Sequence, residues 1–164
     1  MPPMRKIDAL LSEYGESHQT KLNITIHYIC VPAIFFSLIG LLASIPVSEA
    51  IILAFPEFLQ SYVHFGTLVI LLGLVYYLSL SKTLFVGMLL FSILVLLGID
   101  VIKVSTSLAL WIPMLVIFIV AWIAQFIGHN HEGKKPSFLK DLQFLMIGPA
   151  WTMSHLFEGL KIKY

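Results

Sequence analysis

Residues 24–44 read ITIHYICVPAIFFSLIGLLAS. The stretch holds no Asp, Glu, Lys or Arg, and His27 is its one group that titrates near neutral pH. A helix of about 20 residues rises about 30 Å, the thickness of a bilayer's hydrocarbon core. Three later stretches are similar in kind: Tyr62 to Leu80, Leu84 to Ile99, and Leu108 to Gly128. The one from Leu84 is the shortest, and it reaches Ile102 if Asp100 sits at the interface. Ser79 to Thr83 is expected to join its two neighbours as a tight helical hairpin.

The whole chain agrees with that stretch. Of its 164 residues 59% are hydrophobic and 12% charged, and the mean hydropathy is +0.93. Disorder demands the opposite balance, and so short a chain has too little interior to hide this much apolar surface in water. Cys30 is the only cysteine, so a disulfide framework and a CxxC site are both excluded. The net charge of +1 provides no field for nucleic acid. Residues 1–22 mix acids and bases without a long apolar run, which does not read as a signal peptide.

The expected architecture is all-α: a polytopic membrane bundle of about four spans in a single domain, residues 1–164. An amphipathic helix lies on the cytosolic surface over residues 1–22. The bundle occupies 24–128, and a histidine loop with a re-entrant or interfacial helix follows over 129–164. Ala50 to Pro56 is too short to span and is expected to lie on the membrane surface. Phe144 to Met153 is also short, and Gly148-Pro149 is expected to break it. With four spans, Arg5, Lys6, Lys21, Lys82, Lys134, Lys135, Lys140, Lys161 and Lys163 share one side and Lys103 has the other. The positive-inside rule then puts both termini in the cytosol, of a bacterial inner membrane or of the endoplasmic reticulum according to source.

Ile7, Leu10, Leu11 and Tyr14 mark one face of a helix over residues 5–19, and His18 returns to that face eleven residues after Ile7. Six histidines are present. His18 and His27 flank the start of the first span, and His129 and His131 the end of the antiparallel fourth. His155 is tethered to the same side, so five can meet in one layer. His64 falls on the far side and reads as an interfacial or packing residue.

Neutral imidazole is a common ligand for divalent metals, and a histidine set, alone or with Glu132 or Glu158, suits Fe(II) or Zn(II). Clustered imidazolium ions would repel, whereas a cation binds the neutral form. His18 and His27 are nine apart, so they can share an ion only if the chain breaks between them, near Thr20–Leu22. Asn23 either orients His27 or caps the span. His129 and His131, bracketed by Gly128 and Gly133, read as a turn past the helix end. Trp122, Gln125 and His129 share the inner face, as do Trp151, His155 and Glu158 on theirs. Lys134 and Lys135 either attract an anionic substrate or serve only the charge bias.

Two motifs resemble the Mpo1-like family (DUF962 membrane proteins). The first is His18-x4-Asn23-x3-His27 with Pro32 after it. The second is Trp122-x2-Gln125-Phe126-Ile127-Gly128-His129, followed by Glu132-Gly133-Lys134-Lys135-Pro136. Asp141-Leu142-Gln143-Phe144 and Gly148-Pro149 extend the resemblance, which runs from about Tyr14 to His155. It implies an Fe(II)-dependent dioxygenase that shortens 2-hydroxy fatty acids by one carbon with O2, as the characterised fungal members do in the endoplasmic reticulum. The acid's carboxylate and 2-hydroxyl would be the oxygens offered to iron. The resemblance implies His18, His27 and His129 as catalytic metal ligands, with His155 at a position where other members carry a carboxylate or a histidine, and His131 at a variable one. Asn23, Gln125, Glu132 and Lys135 are the candidates for orienting ligands or touching substrate. The competing expectations are a zinc-dependent or other histidine-metal lipid hydroxylase or hydrolase, and a non-catalytic membrane protein that binds lipid or a partner.

Overall fold

The computed structural model describes residues 5–133 and 145–164. Among these, eight helices follow in order: α1 (Lys6–Gly15), α2 (Lys21–Ala43), α3 (Glu49–Leu53), α4 (Glu57–Gln60), α5 (Phe65–Leu80), α6 (Lys82–Ser105), α7 (Trp111–His131) and α8 (Ile147–Gly159). The chain is all-α. Helices α2, α6 and α7 are long and apolar enough to cross a membrane. Their outward faces are apolar too, with Leu94, Val104 and Val120 exposed, as expected of surface that meets lipid rather than water.

Helix α5 is the short one, at 16 residues. The expected span began at Tyr62, but the helix starts three residues later because His64 caps it. His64 is extended (φ −152°), and its Nδ1 accepts the Thr67 N–H at 3.1 Å. The stretch expected to be shortest instead becomes the longest helix, at 24 residues. It continues past Asp100 because Lys103 lies one turn on and pairs with it at 3.3 Å. Neither charge is then left alone near the helix end. The hairpin forms as read: Ser81 is the single residue between α5 and α6, and its Oγ accepts the Leu84 N–H at 3.3 Å.

Helix α2 is the centre of the bundle. It packs along α7 on one flank and α5 on another, and α6 lies beside α5. The close approach to α7 depends on Gly40, where a Cβ would collide with the Met114 side chain. Helix α8 is held by α1, α2 and α6 and buries Ile147, Ala150, Trp151, Ser154 and Phe157. Gly148-Pro149 does not break it. Both residues fall in its first turn, where a backbone N–H has no intrahelical acceptor, so proline is tolerated there. Lys134, Lys135, Lys140 and Phe144 lie outside the described residues.

The first and last described residues meet at one end of the bundle. Arg5 Nη1 donates to the Tyr164 carbonyl at 2.6 Å, and Lys82 borders the same groove as Phe157 and Ile162. Lys103 sits at the opposite end of α6 from Lys82.

Candidate metal centre

Three histidines from three separate pieces of chain come together at that end. His18, His27 and His129 each place one ring nitrogen within 4.8 Å of the other two. Their ring centroids are 4.1 Å (His18–His27), 4.8 Å (His27–His129) and 5.2 Å (His18–His129) apart. All three are buried, at 5%, 1% and 4% exposure. Nitrogens that each bind one ion at about 2.1 Å are at most about 4.2 Å apart. The cluster therefore needs only sub-ångström adjustment of each ring, and it is capable of coordinating a metal ion.

The local chain explains how each ring arrives. Helix α1 ends at Gly15 rather than running to residue 19 as its apolar spacing suggested. His18 follows in a turn closed by its own N–H to the Gly15 carbonyl at 2.9 Å. Its ring stacks on Tyr14 at 4.4 Å, nearly parallel, and its Nδ1 lies 2.7 Å from the Tyr14 carbonyl. The break that lets His18 and His27 face each other thus spans Glu16 to Thr20. Helix α2 then starts with Thr20 as N-cap, Oγ1 accepting the Asn23 N–H at 3.4 Å.

His27 repeats the pattern one helix later, with Nδ1 2.8 Å from the Asn23 carbonyl. A carbonyl only accepts, so Nδ1 carries the proton in both rings and Nε2 is the lone-pair nitrogen. This is the tautomer that metal-ligating histidines present when a carbonyl holds their other nitrogen. Asn23 therefore orients His27, but through its backbone rather than its side chain, and it is not the cap.

The Asn23 side chain serves Glu132 instead. Its Nδ2 donates to Oε2 at 2.7 Å. Glu132 also accepts from the Gln19 N–H (2.6 Å), the Thr20 N–H (3.3 Å) and Thr20 Oγ1 (3.1 Å). One carboxylate at the end of α7 so ties down the turn bearing His18 and the start of the helix bearing His27. Its charge also suits the positive N-terminus of α2. Partial burial pushes this carboxyl up, but the donors from Asn23, Gln19 and Thr20 outweigh it and hold it down at about 2. Gly128 lets α7 come this close, since a Cβ there would strike Asn23 Oδ1.

His129 and His131 are not in a turn. Helix α7 runs through His131, so two residues of separation put the rings on opposite faces. His129 points inward and His131 is exposed. His155 is half-buried on α8 and does not belong to the three-histidine group. Trp151 stands beside both, its ring 5.3 Å from His18 and 4.3 Å from His155. Gln125 is buried one turn before His129 and lines a small space with Tyr14, Trp122 and Gly148. Glu158 is exposed on α8, where the Tyr164 hydroxyl donates to it at 3.1 Å. His64 caps α5. Tyr14 and Trp151 are the members of the site whose part the spacing did not reveal. The signal was present in the i, i+4 pairs Tyr14–His18, Asn23–His27 and Trp151–His155, each a carbonyl and the ring it anchors.

Residues 4–160 match the family described as Mpo1-like, 2-hydroxy-palmitic acid dioxygenase. No curated protein and no solved structure matches the chain. The match covers both histidine motifs and the helices that carry them, and the chain belongs to the Mpo1-like family.

Proposed function

We propose that this protein is an Fe(II)-dependent dioxygenase that removes one carbon from 2-hydroxy fatty acids at the membrane. One observation carries the reading: three buried imidazoles converge, in a chain of a family described by that activity. His18, His27 and His129 would hold the ion as neutral ligands. Bound there, a ferrous ion would supply the electron-transfer chemistry that O2 requires. The reaction balances with O2 as sole oxidant: a 2-hydroxy acid and O2 give the acid one carbon shorter, CO2 and water. The bond between C1 and C2 breaks, and C2 becomes the new carboxyl carbon.

The protein's own part is to orient and to exclude water. The Tyr14 and Asn23 carbonyls fix two ring tautomers, and Glu132 locks three chain segments around them. Tyr14 and Trp151 shield one side of the cluster. The same end of the bundle carries Arg5, Lys6, Lys21, Lys82, Lys161 and Lys163, which supports four spans with α5 among them and both termini in the cytosol. Helices α3 and α4, with Leu53 and Phe58 exposed, would lie on the opposite membrane surface.

Metal analysis of tag-free protein purified in detergent tests the reading. Near-stoichiometric iron, with O2 uptake on adding 2-hydroxypalmitate and one CO2 released per O2, is the expected result. Stoichiometric zinc with no O2 uptake overturns it in favour of a hydrolase, for which an all-imidazole set is equally suited. Metal at background overturns catalysis by a metal altogether.

A further inference from the structure

The turn of α2 that carries His27 and the turn of α8 that packs Trp151 on His18 each have a second face. His27 points into the cluster, and its neighbour Tyr28 points away from it, into a cavity of about 440 Å³ between α2, α6 and α8. Trp151 and His155 divide in the same way along α8, Trp151 touching His18 and His155 lining the cavity. The volume lies within the roughly 300–1,000 Å³ of small-molecule sites. Its walls are apolar where Phe91, Pro149 and Met153 contribute, and its polar groups gather at the edge nearest Trp151. There the Tyr28 ring lies 5.6 Å from His155 and 5.5 Å from Trp151.

A backbone acceptor belongs to the same edge. Pro32 lines the cavity one helical turn beyond Tyr28. Proline has no N–H, so the Tyr28 carbonyl lacks its i+4 donor within α2. His155 directs Nδ1 to the Trp151 carbonyl at 2.9 Å, which makes Nε2 its second polar atom. One edge thus offers a carbonyl acceptor, a phenol and an imidazole; Thr152 adds a hydroxyl that donates to the Gly148 carbonyl at 3.2 Å, and the remaining lining side chains are hydrocarbon or thioether.

We propose that this cavity binds the acyl chain of a 2-hydroxy fatty acid. The hydroxyl and carboxyl sit at the Tyr28–His155 edge, from which the reacting end reaches the three histidines past Trp151, the ring that lies against both His155 and His18. His155 is then a substrate-positioning residue and not a metal ligand. The carbonyl released by Pro32 discriminates for a ligand with a hydroxyl to donate, because an acceptor that a bound ligand covers without matching is costly. The identity of the ligand rests on the dioxygenase reading, whereas the existence of a lipid site does not.

The test uses the full chain in detergent with 2-hydroxyhexadecanoic acid bearing a photoreactive diazirine near the chain end. Labelled positions are mapped by mass spectrometry with and without excess unlabelled acid, and metal content is measured in parallel. Competable labelling is expected at Phe91 and Met153. Leu156→Trp, which fills the cavity mouth, and Tyr28→Phe should each reduce it at least five-fold with metal content unchanged. Hexadecanoic acid without the 2-hydroxyl should compete several-fold less well. Labelling confined to the outer faces of α5 and α6, or undiminished in both variants, overturns the site. Equal competition by hexadecanoic acid overturns the role of the hydroxyl. Labelled cavity residues in a protein that binds no metal would sink the dioxygenase reading and leave the lipid site standing.

Discussion

His27 shows how one residue is prepared for a metal. Its ring is 1% exposed, its Nδ1 proton is committed to the Asn23 carbonyl, and two other rings lie against it. Substituting His18, His27 or His129 by Ala should each remove bound metal and lower turnover by more than about 100-fold, beyond what losing an outer partner of a ligand costs. His64→Ala should retain both metal and turnover, since that ring only caps α5. Metal analysis beside oxygen uptake separates the two classes. A damaging His64→Ala would place the site elsewhere.

Glu132 acts at the same scale, and its sign can be worked through. Its folded carboxyl lies at about 2, below its ordinary 4.5. The stabilisation it gives is therefore complete above the ordinary value and fades as pH falls from about 4.5 toward 2. Glu132→Gln should be less stable than the parent at pH 7, and the difference should shrink across that acid window. Thermal melts at several pH values would read this. A constant difference from pH 7 to pH 2 would mean that the carboxylate's charge does not hold the turn.

Among the elements, the crossing of α2 and α7 sets the distance from His27 to His129. Gly128 permits that distance, and Gly128→Val should push Asn23 aside, with a loss of about 1–3 kcal/mol typical of overpacking. Metal affinity should fall along with the melting temperature, because the displaced side chain holds Glu132. Weakened melting with unchanged metal affinity would show that the Asn23–Glu132 contact does not support the cluster. Helix α8 teaches a different point. Its Gly-Pro pair reads as a breaker in isolation, yet the chain uses it as a start, where proline's missing N–H has no consequence. Helix α6 likewise runs through Asp100 because Lys103 answers it.

For the whole molecule, the arrangement of charge predicts topology. Cysteines placed singly at Lys82 and Lys163 should react with an impermeant maleimide from one side of the membrane, and one placed at Lys103 from the other. Cys30 is buried and should stay silent. Reaction of all three from one side would contradict the four-span reading and leave α5 as a helix that does not cross.

The membrane character, the hairpin at Ser81 and a layer of five histidines that includes His18, His27 and His129 were legible in the chain itself, and the family resemblance narrowed the five to these three. They depend on local quantities: runs of apolar residues long enough to span, a serine between two such runs, and histidines placed where antiparallel spans must begin and end. The residues that meet at the centre were decided by the tertiary structure. The end of α1 at Gly15, the helical continuation through His131 and the separation of His155 by Trp151 all follow from packing between segments far apart in sequence. So does the role of Glu132, whose partners lie 109 to 113 residues away. Periodicity assigns a side chain to a face of its own helix. Only the neighbouring helices determine what that face meets.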